Sequence, residues 1–160
     1  MKPRPPTLRE KRRYILAEIV PHYRRIEPRQ MYFAVVDALS SLWGDARASE
    51  VHAAVISCEC GYCIVRCRRN TEALVETALS TVTGVDGERI ALHPLATSGT
   101  LHGLRTRMRP LPEERTLEGV EIGGTEYSGI LFMRQKVDLY AKGIKNQETL
   151  YFTHDEMEVD

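Results

Sequence analysis

The sequence predicts an α+β domain, because segments with the periodicity of strands and of helices follow one another in the order β-α-β-β-α-β. The clearest strand is residues 63–68 (CIVRCR), in which Cys63, Val65 and Cys67 face one way and the arginines face the other. The clearest helix follows it, since residues 74–82 place apolar side chains on one stripe. Packing such helices against one face of a sheet buries the apolar stripe of each helix and the apolar face of the strands.

The chain before this strand supplies a strand, a helix and a second strand. Residues 13–20 (RYILAEIV) are largely apolar on both faces, which favours a central position in the sheet. Pro28 suits the first turn of a helix over residues 29–43, and Gly44 is a natural C-terminal stop. Residues 51–58 are predicted to form the second strand.

The chain after the third strand supplies a second helix and a fourth strand. Asn70 is predicted to cap the helix, and Glu72 lies in its first turn, where a negative charge is favourable. An Asp-Gly pair marks a tight turn before a strand over residues 88–95. That strand is predicted to lie at the edge of the sheet or to end at Pro94, because proline has no N–H to donate.

This order of elements is the ferredoxin-like, or split βαβ, pattern: a four-stranded antiparallel sheet with two helices on one face. An extra C-terminal helix is predicted to begin near Leu101, after the capping hydroxyls of Ser98 and Thr100. In this pattern the first and third strands are neighbours. The second face of the sheet is then either open or covered by the last helix.

Composition divides the 160-residue chain into three parts. Residues 1–12 form a basic, proline-rich arm, residues 13–108 the ferredoxin-like domain, and residues 109–160 an acidic C-terminal extension. Residues 1–108 carry 16 lysine and arginine side chains against 11 aspartate and glutamate side chains, a balance of +5. The extension carries 6 against 11, a balance of −5. The first two parts are therefore suited to a polyanion, which the extension would repel.

The extension is predicted to be short, acidic, and either β-rich or partly disordered. Residues 109–124 are rich in proline, glutamate and glycine and are predicted to be a linker. Short strands, separated by charged and turn-forming residues, are predicted at residues 127–133, 137–141 and 150–153. A small β meander is one outcome of this pattern.

The composition is that of a soluble protein. No apolar run approaches the ~20 residues that a membrane-spanning helix needs, so no membrane partner is expected. The basic, proline-rich N-terminus lacks the pattern of a signal peptide. We therefore expect a cytoplasmic protein whose four cysteines are reduced thiols.

The sequence contains no recognisable catalytic residues, since its histidines are scattered and it has no phosphate-binding loop. Its cysteines form a Cys-x-Cys-x-x-Cys-x-x-x-Cys run: Cys58, Cys60, Cys63 and Cys67. The run leaves zinc binding open as an alternative, although its spacing is not that of paired Cys-x-x-Cys ligands. Along one strand face, Cys63 and Cys67 are about 13 Å apart, too far for one ion without a bend.

Arginines form the strongest candidate for a functional surface. If the first and third strands are adjacent, the arginines at their ends form one guanidinium cluster that is able to bind phosphates through paired hydrogen bonds. Its members are Arg12, Arg13, Arg66, Arg68 and Arg69. Residues 63–68 lack the aromatic side chains that stack on unpaired bases, so the pattern favours contact with the backbone of a folded RNA.

Four segments of the chain resemble segments of a known family. They are PPTLREKRRYILAEI (residues 5–19), IVRCRR (64–69), ALSTVTGVDGERIALHPL (78–95) and SGTLHGLRTRM (98–108). In this order they resemble archaeal ribonuclease P protein component 2, the family related to the eukaryotic Pop-type subunit shared by ribonucleases P and MRP. The resemblance covers about residues 5–108.

The resemblance implies a ferredoxin-like subunit of the endoribonuclease ribonuclease P, whose RNA uses Mg²⁺ to remove 5′ leaders from precursor tRNAs. It implies no catalytic residue and no cofactor held by the protein. The implied partners are the ribonuclease P RNA, a TIM-barrel-like protein component 3, the other ribonuclease P proteins and, indirectly, precursor tRNA. The RNA-binding residues carried over are the basic residues of the matched segments: Arg9, Lys11, Arg12, Arg13, Arg66, Arg68 and Arg69.

Two features depart from the family pattern. The hairpin around Cys60 is rich in thiols, and residues 109–160 extend beyond the usual end. Two functions other than the one implied by the family resemblance remain as alternatives. A small-molecule-binding regulatory module is the first, because ferredoxin-like domains often bind ligands, here in a cleft at a dimer interface. A zinc-binding interaction module is the second, and it rests on the cysteines alone.

Overall fold

The computed structural model describes residues 10–141 and 149–157. In chain order its elements are β1 (Arg12–Val20), α1 (Pro28–Val51), β2 (Ala54–Glu59), β3 (Tyr62–Arg68), α2 (Glu72–Thr81), β4 (Gly84–Val85), β5 (Glu88–Arg89), β6 (Ala91–Ser98), α3 (Leu101–Arg105), β7 (Arg115–Ile122), β8 (Thr125–Phe132), β9 (Lys136–Ala141), β10 (Leu150–Thr153) and α4 (His154–Met157). Two compact units hold these elements, one ending at Arg109 and the other beginning at Pro110.

Four strands of the first unit form an antiparallel sheet in the order β2-β3-β1-β6. Strand β1 is central, as its sequence predicts, because Ile15 and Leu16 point to opposite faces and both are fully buried. It pairs with β3 in a register that sets Ile15 opposite Val65. The alternation predicted for β3 is confirmed, since Val65 belongs to the core while Arg68 is exposed.

Helices α1 and α2 pack against each other and against the strands of this sheet. Each helix presents an apolar stripe, which places its buried side chains in one core with those of the strands. The helical members are Met31, Val35, Leu39, Val51, Val75, Ala78 and Leu79. The strand members are Ile15, Ala17, Ile19, Cys63, Val65, Cys67 and Leu92. The first unit is thus an α+β structure whose two longer helices share one core with one face of the sheet.

The second face of the sheet is partly covered by α3, which contacts β1 and β6. Leu16, Ile64 and Leu104 are almost completely buried, yet they lie outside the core formed with α1 and α2. Alternation along the strands places Leu16 and Ile64 on the side of α3. As predicted, Thr100 caps this helix, because its hydroxyl accepts a hydrogen bond from the N–H of Gly103 at 3.2 Å.

Helix α1 is longer than its sequence predicts, because Gly44 interrupts the helix without ending it. Gly44 has a φ of +77°, in the left-handed region that glycine adopts readily, and the helix resumes after it. Val51 closes the second helical segment, and its burial in the core holds that segment in place. The strand predicted at residues 51–58 therefore begins at Ala54.

The cap predicted for α2 is wrong by one residue. Asn70 has a φ of +72° and belongs to the turn after β3, in a conformation that asparagine tolerates better than most residues. Thr71 occupies the N-cap position, but its hydroxyl donates to the carbonyl of Arg68 at 2.7 Å and does not cap the helix. Glu72 is the first helical residue, so the negative charge predicted for the first turn is present.

A small hairpin separates α2 from the last strand of the sheet. Its strands β4 and β5 are joined by Asp86 and Gly87, whose φ values of +52° and +80° fit a two-residue type I′ turn. Because β5 belongs to this hairpin, the last strand is β6 and not residues 88–95 as predicted. It lies at the edge of the sheet, as Pro94 predicts, and Pro94 falls where the register with β1 shifts.

The second unit contains an antiparallel meander in the order β10-β9-β8-β7. Three of its strands match the strands predicted at residues 127–133, 137–141 and 150–153. The linker predicted at residues 109–124 is wrong, because residues 115–122 within it form β7. A register shift between Leu117 and Val120, with Gly119 at a φ of +69°, breaks the alternation that would mark this segment as a strand.

The described residues do not include either end of the chain in full. The described chain starts at Glu10, so most of the predicted basic arm is not included, and the acidic end is included only to Met157. Among the helices of residues 10–141 and 149–157, none has both the length and the apolar composition that crossing a bilayer requires.

Leu104→Ala is expected to destabilise the protein by about 2–5 kcal/mol, the usual cost of truncating a fully buried leucine. Leu95→Ala is the matched control, because Leu95 is 53% exposed and its truncation should change the free energy of unfolding by less than about 0.5 kcal/mol. Urea unfolding followed by circular dichroism measures both variants. Equal losses would contradict the packing of α3 on the second face of the sheet.

Candidate nucleic-acid interface

The register of β1 with β3 brings arginines together at one end of the central strands. Arg12 lies directly opposite Arg68, and Tyr14 lies opposite Arg66. Side chains that face each other in this way have Cβ atoms about 5 Å apart, and alternate residues of one strand are ~7 Å apart. Arg12, Arg66 and Arg68 therefore emerge close together on the face of the sheet that α3 partly covers.

A cavity of about 280 Å³ at this end of the sheet is lined by Lys11, Arg12, Arg13, Arg69 and Gly99. All of its lining residues except the glycine are cationic, so its charge suits an anion such as a phosphate group. Backbone pairing continues past the ends of β1 and β3, because the N–H of Arg69 donates to the carbonyl of Lys11 at 2.9 Å. This bond holds the two basic chain segments side by side.

Arg13 belongs to the opposite face of β1, where it pairs across the sheet with the buried Cys67. Its Nε lies 3.3 Å from Oε1 of Glu72 in the first turn of α2. Gly99 leaves room for the guanidinium, because a Cβ at this position would lie 2.7 Å from Nη1 of Arg13. A carboxylate from α2 and a glycine from the turn before α3 thus define where this arginine lies.

A second carboxylate lies close to Arg68. Oε1 of Glu10 is 3.5 Å from Nε of Arg68 and 3.0 Å from Nδ1 of His52. The side chains of Arg68 and His52 are more than half exposed, so solvent screens both contacts and each contributes at most about 1 kcal/mol. Glu10 therefore orients Arg68 and weakens the local positive potential without cancelling it.

Six of the seven residues predicted from the sequence come together, and we call them the basic cluster: Lys11, Arg12, Arg13, Arg66, Arg68 and Arg69. Arg66 and Arg68 do not line the cavity, and Arg66 is partly buried. The seventh residue, Arg9, lies outside the described residues. The cations of the cluster outnumber the neighbouring carboxylates of Glu10 and Glu72, so the surface keeps an excess of positive charge.

Sequence reasoning misses three exposed arginines near α3, namely Arg105, Arg107 and Arg109. The backbone of Arg109 lies beside Tyr62, at the end of β3 farthest from Arg68, so the positive charge after α3 extends away from the basic cluster. The signal is present in the sequence RTRMR, where every second residue is cationic. This signal is missed because an α-helix repeats every 3.6 residues, so a cation at every second residue does not mark one face of a helix.

The four cysteines do not form one ligand set. Cys58 lies opposite Cys63, and Cys60 is exposed in the turn between their strands. Within residues 10–141 and 149–157, no three His, Cys, Asp or Glu side chains group closely enough to hold a metal ion. The described part of the chain therefore contains no group of side chains that fits the zinc-binding alternative.

A larger cavity of about 610 Å³ lies between α1 and the hairpin formed by β4 and β5. Phe33 and Leu42 line it and are 51% and 42% exposed. Its charged lining residues are Asp37 and Asp86, so it does not suit a phosphate group. One chain forms this cavity, whereas the small-molecule alternative places its ligand in a cleft between two chains.

Comparison with known proteins assigns the family. The sequence profile of the Rpp14/Pop5 family matches residues 13–109, which is more than half of the chain. The chain belongs to the Rpp14/Pop5 family. The family resemblance of the four sequence segments is therefore confirmed. The matched region of this Rpp14/Pop5 protein includes four members of the basic cluster: Arg13, Arg66, Arg68 and Arg69.

Archaeal proteins named ribonuclease P protein component 2 are similar to this Rpp14/Pop5 protein. The protein of Methanoculleus marisnigri is 54% identical over 158 residues, which cover 99% of both chains. The protein of Methanosphaerula palustris is 44% identical over 158 residues, again 99% of both chains. The protein of Methanosarcina acetivorans is 35% identical over 99 residues, 60% of this chain and 72% of that one.

The acidic extension is shared with some of these relatives. The alignments with the first two proteins span both compact units, whereas 99 residues are too few to cover both. Among solved structures, a chain in the cryo-EM structure of yeast ribonuclease MRP aligns with a TM-score of 0.47 and 16% identity. That alignment covers 57% of this chain and 76% of the yeast complex chain.

Glu10→Gln is expected to strengthen binding of the Rpp14/Pop5 protein to a polyanion, because it removes the carboxylate beside Arg68. We expect the variant to elute from immobilised heparin at a higher salt concentration than the unmodified protein. Glu88→Gln is the matched control, since it removes one negative charge next to Arg24, outside the basic cluster. Elution of Glu10→Gln at or below the salt concentration of this control would contradict the proposed electrostatics.

Proposed function

We propose that this Rpp14/Pop5 protein is a subunit of the endoribonuclease ribonuclease P that binds and stabilises the catalytic RNA. In this role it supports removal of the 5′ leaders of precursor tRNAs. The basic cluster is the observation that carries the proposal, because it gathers six cations at the ends of β1 and β3. The names of the archaeal relatives, ribonuclease P protein component 2, identify the RNA that such a surface would meet.

Phosphate is the group that the basic cluster suits. Guanidinium groups bind phosphate oxygens through paired N–H donors, and the cluster presents them from two strands and the segments that adjoin them. Neutralising several phosphates releases counterions and lets RNA segments approach each other. In the proposed complex, the RNA therefore keeps its active shape at a lower Mg²⁺ concentration.

Contact with the RNA backbone is favoured over stacking on unpaired bases. The aromatic residue of β3, Tyr62, is 5% exposed, and its hydroxyl donates to the carbonyl of Arg109 at 3.0 Å. Burial raises the pKa of Tyr62, so the hydroxyl keeps its proton and continues to donate. Sheets that bind unpaired bases need exposed aromatic rings on their central strands. Strand β3 offers none, and the one aromatic ring of β1, Tyr14, is only half-exposed.

We further propose that the first unit is a ferredoxin-like domain with the split βαβ arrangement. The strand order β2-β3-β1-β6, the antiparallel pairing of all neighbours and the shared core of α1 and α2 support this assignment. In this proposal residues 13–108 form the domain, residues 1–12 form a basic arm and residues 109–160 form an acidic extension.

Family membership supports the assembly that we propose. The ribonuclease P RNA cleaves the phosphodiester bond with its own Mg²⁺, and this protein holds no cofactor. The protein partners are the TIM-barrel-like component 3 and the other ribonuclease P proteins, and precursor tRNA is met through the assembled complex. We propose a cytoplasmic location for this assembly.

Reversing Arg66, Arg68 and Arg69 to glutamate is expected to abolish stimulation of precursor-tRNA cleavage at low Mg²⁺. If the unmodified protein contacts about five phosphates, the logarithm of its RNA affinity falls with the logarithm of salt concentration at a slope near −4. Each lost contact should reduce the slope by about one unit. Filter binding to ribonuclease P RNA in a KCl series, followed by reconstituted cleavage, measures both effects.

The matched control reverses three exposed arginines outside the basic cluster: Arg25, Arg29 and Arg89. It changes the net charge by the same amount, so it separates local contacts from long-range attraction. Circular dichroism verifies that both variants fold. Equal losses of affinity in the two variants, or an affinity of the unmodified protein that does not respond to salt, would refute a localised RNA-binding surface.

Gly99→Ala is expected to weaken RNA binding roughly tenfold, because the new Cβ displaces the guanidinium of Arg13 and its charged hydrogen bonds from the cavity. The displaced group is the end of a flexible side chain, so stability should change by only about 0.5 kcal/mol. Gly84→Ala adds the same methyl group in β4 and is the matched control. An RNA affinity equal to that of this control would show that Arg13 makes no contact with RNA.

A further inference from the structure

Two cysteines face each other across the hairpin formed by β2 and β3. Cys58 lies directly opposite Cys63, next to the pair formed by Glu59 and Tyr62 at the turn. The turn has two residues with positive φ, +54° at Cys60 and +77° at the glycine after it, which fits a type I′ hairpin. The pair that flanks such a turn is hydrogen-bonded. The cysteine pair is therefore of the closer, non-hydrogen-bonded kind, with Cα atoms about 4.5 Å apart.

This separation lies within the range that a disulfide bond tolerates, which is about 4.4–6.8 Å between Cα atoms. Both side chains lie on the same side of the sheet, because Cys63 belongs to the core and Cys58 packs against it. Both are free thiols, and the thiol of Cys63 donates a hydrogen bond to the sulfur of Cys58. The two sulfurs can therefore join without displacing the strands.

The two thiols differ in accessibility and acidity. Cys58 is partly exposed on β2, the edge strand, and the hydrogen bond from Cys63 lowers its pKa. Cys63 is fully buried, and the same hydrogen bond together with burial raises its pKa well above the ordinary value. Since the thiolate is the form that attacks a disulfide, Cys58 is suited to react first and Cys63 second.

We propose that Cys58 and Cys63 form a redox-active dithiol that is oxidised by exchange with a small-molecule disulfide. The thiolate of Cys58 attacks one sulfur of that molecule, its S–S bond breaks, and one half leaves and takes up a proton. Cys63 then loses its proton and attacks the sulfur of Cys58, which releases the other half as a thiol. The dithiol loses two electrons and two protons, and the small-molecule disulfide gains them.

The other two cysteines do not fit this role. Cys60 is exposed in the turn and has no cysteine opposite it. Cys67 lies about 13 Å along the strand from Cys63 at ~3.3 Å per residue, and burial raises its pKa to about 11. A disulfide between Cys58 and Cys63 would tie the edge strand to β3, which carries two arginines of the basic cluster. The proposal does not depend on RNA binding.

The test uses the full-length reduced protein, an excess of oxidised glutathione, alkylation of the remaining thiols and peptide mapping by mass spectrometry. We expect the cross-link to join Cys58 to Cys63 and the buried Cys67 to stay unoxidised, whereas the exposed Cys60 is either alkylated or carries one glutathione. Cys60→Ser is the matched control and should form the same cross-link. Four alkylated thiols after oxidation, or a cross-link that includes Cys60 or Cys67, would overturn the proposal.

Two further variants test the order of the steps. Cys63→Ala removes the second thiol and keeps the buried position apolar, so glutathione should accumulate on Cys58 as a mixed disulfide. Cys58→Ser changes a partly exposed position and should leave Cys63 unmodified by glutathione. Modification of Cys63 in this variant, at the rate seen for Cys58 in Cys63→Ala, would overturn the assignment of Cys58 as the attacking thiol.

Discussion

The pairing of β1 with β3 is the interaction on which both the core and the basic cluster depend. Its register sets Ile15 opposite Val65 and, at the end of the same ladder, Arg12 opposite Arg68. Successive side chains of a strand point to opposite faces, so a slip of one residue would turn Val65 outward and Arg66 into the core. The burial of the apolar residues therefore fixes where the arginines point.

Placing like charges opposite each other at the end of this pairing is unfavourable for folding. Such pairs cost up to about 1 kcal/mol, and the contacts that Glu10 and Glu72 make offset part of the repulsion. Burial of a large aliphatic side chain contributes about 1.5–3 kcal/mol, and the core contains many of them. Apolar burial thus outweighs a charge repulsion that a bound polyanion would relieve.

Periodicity predicts the parts of this fold that a local pattern encodes, such as the alternation of β3 and the apolar stripes of α1 and α2. It fails where one residue leaves the regular backbone, as Gly119 does inside β7 and Asn70 does before α2. The grouping of the arginines of the basic cluster was predictable from the adjacency of the first and third strands, but the position of Arg13 was not. Arg13 is positioned by Glu72 and Gly99, which are distant in sequence and meet it only in the folded sheet.

The alternation of β3 also separates two kinds of chemistry on one strand. Cys63 points into the core beneath α1 and α2, whereas Arg66 points to the face that α3 partly covers. A disulfide between Cys58 and Cys63 would therefore form without touching a phosphate bound at the arginines. The two sites stay mechanically linked, because β3 is paired with β2 on one side and with β1 on the other. A cross-link that restrains the edge strand thus acts on the strand whose register positions the basic cluster.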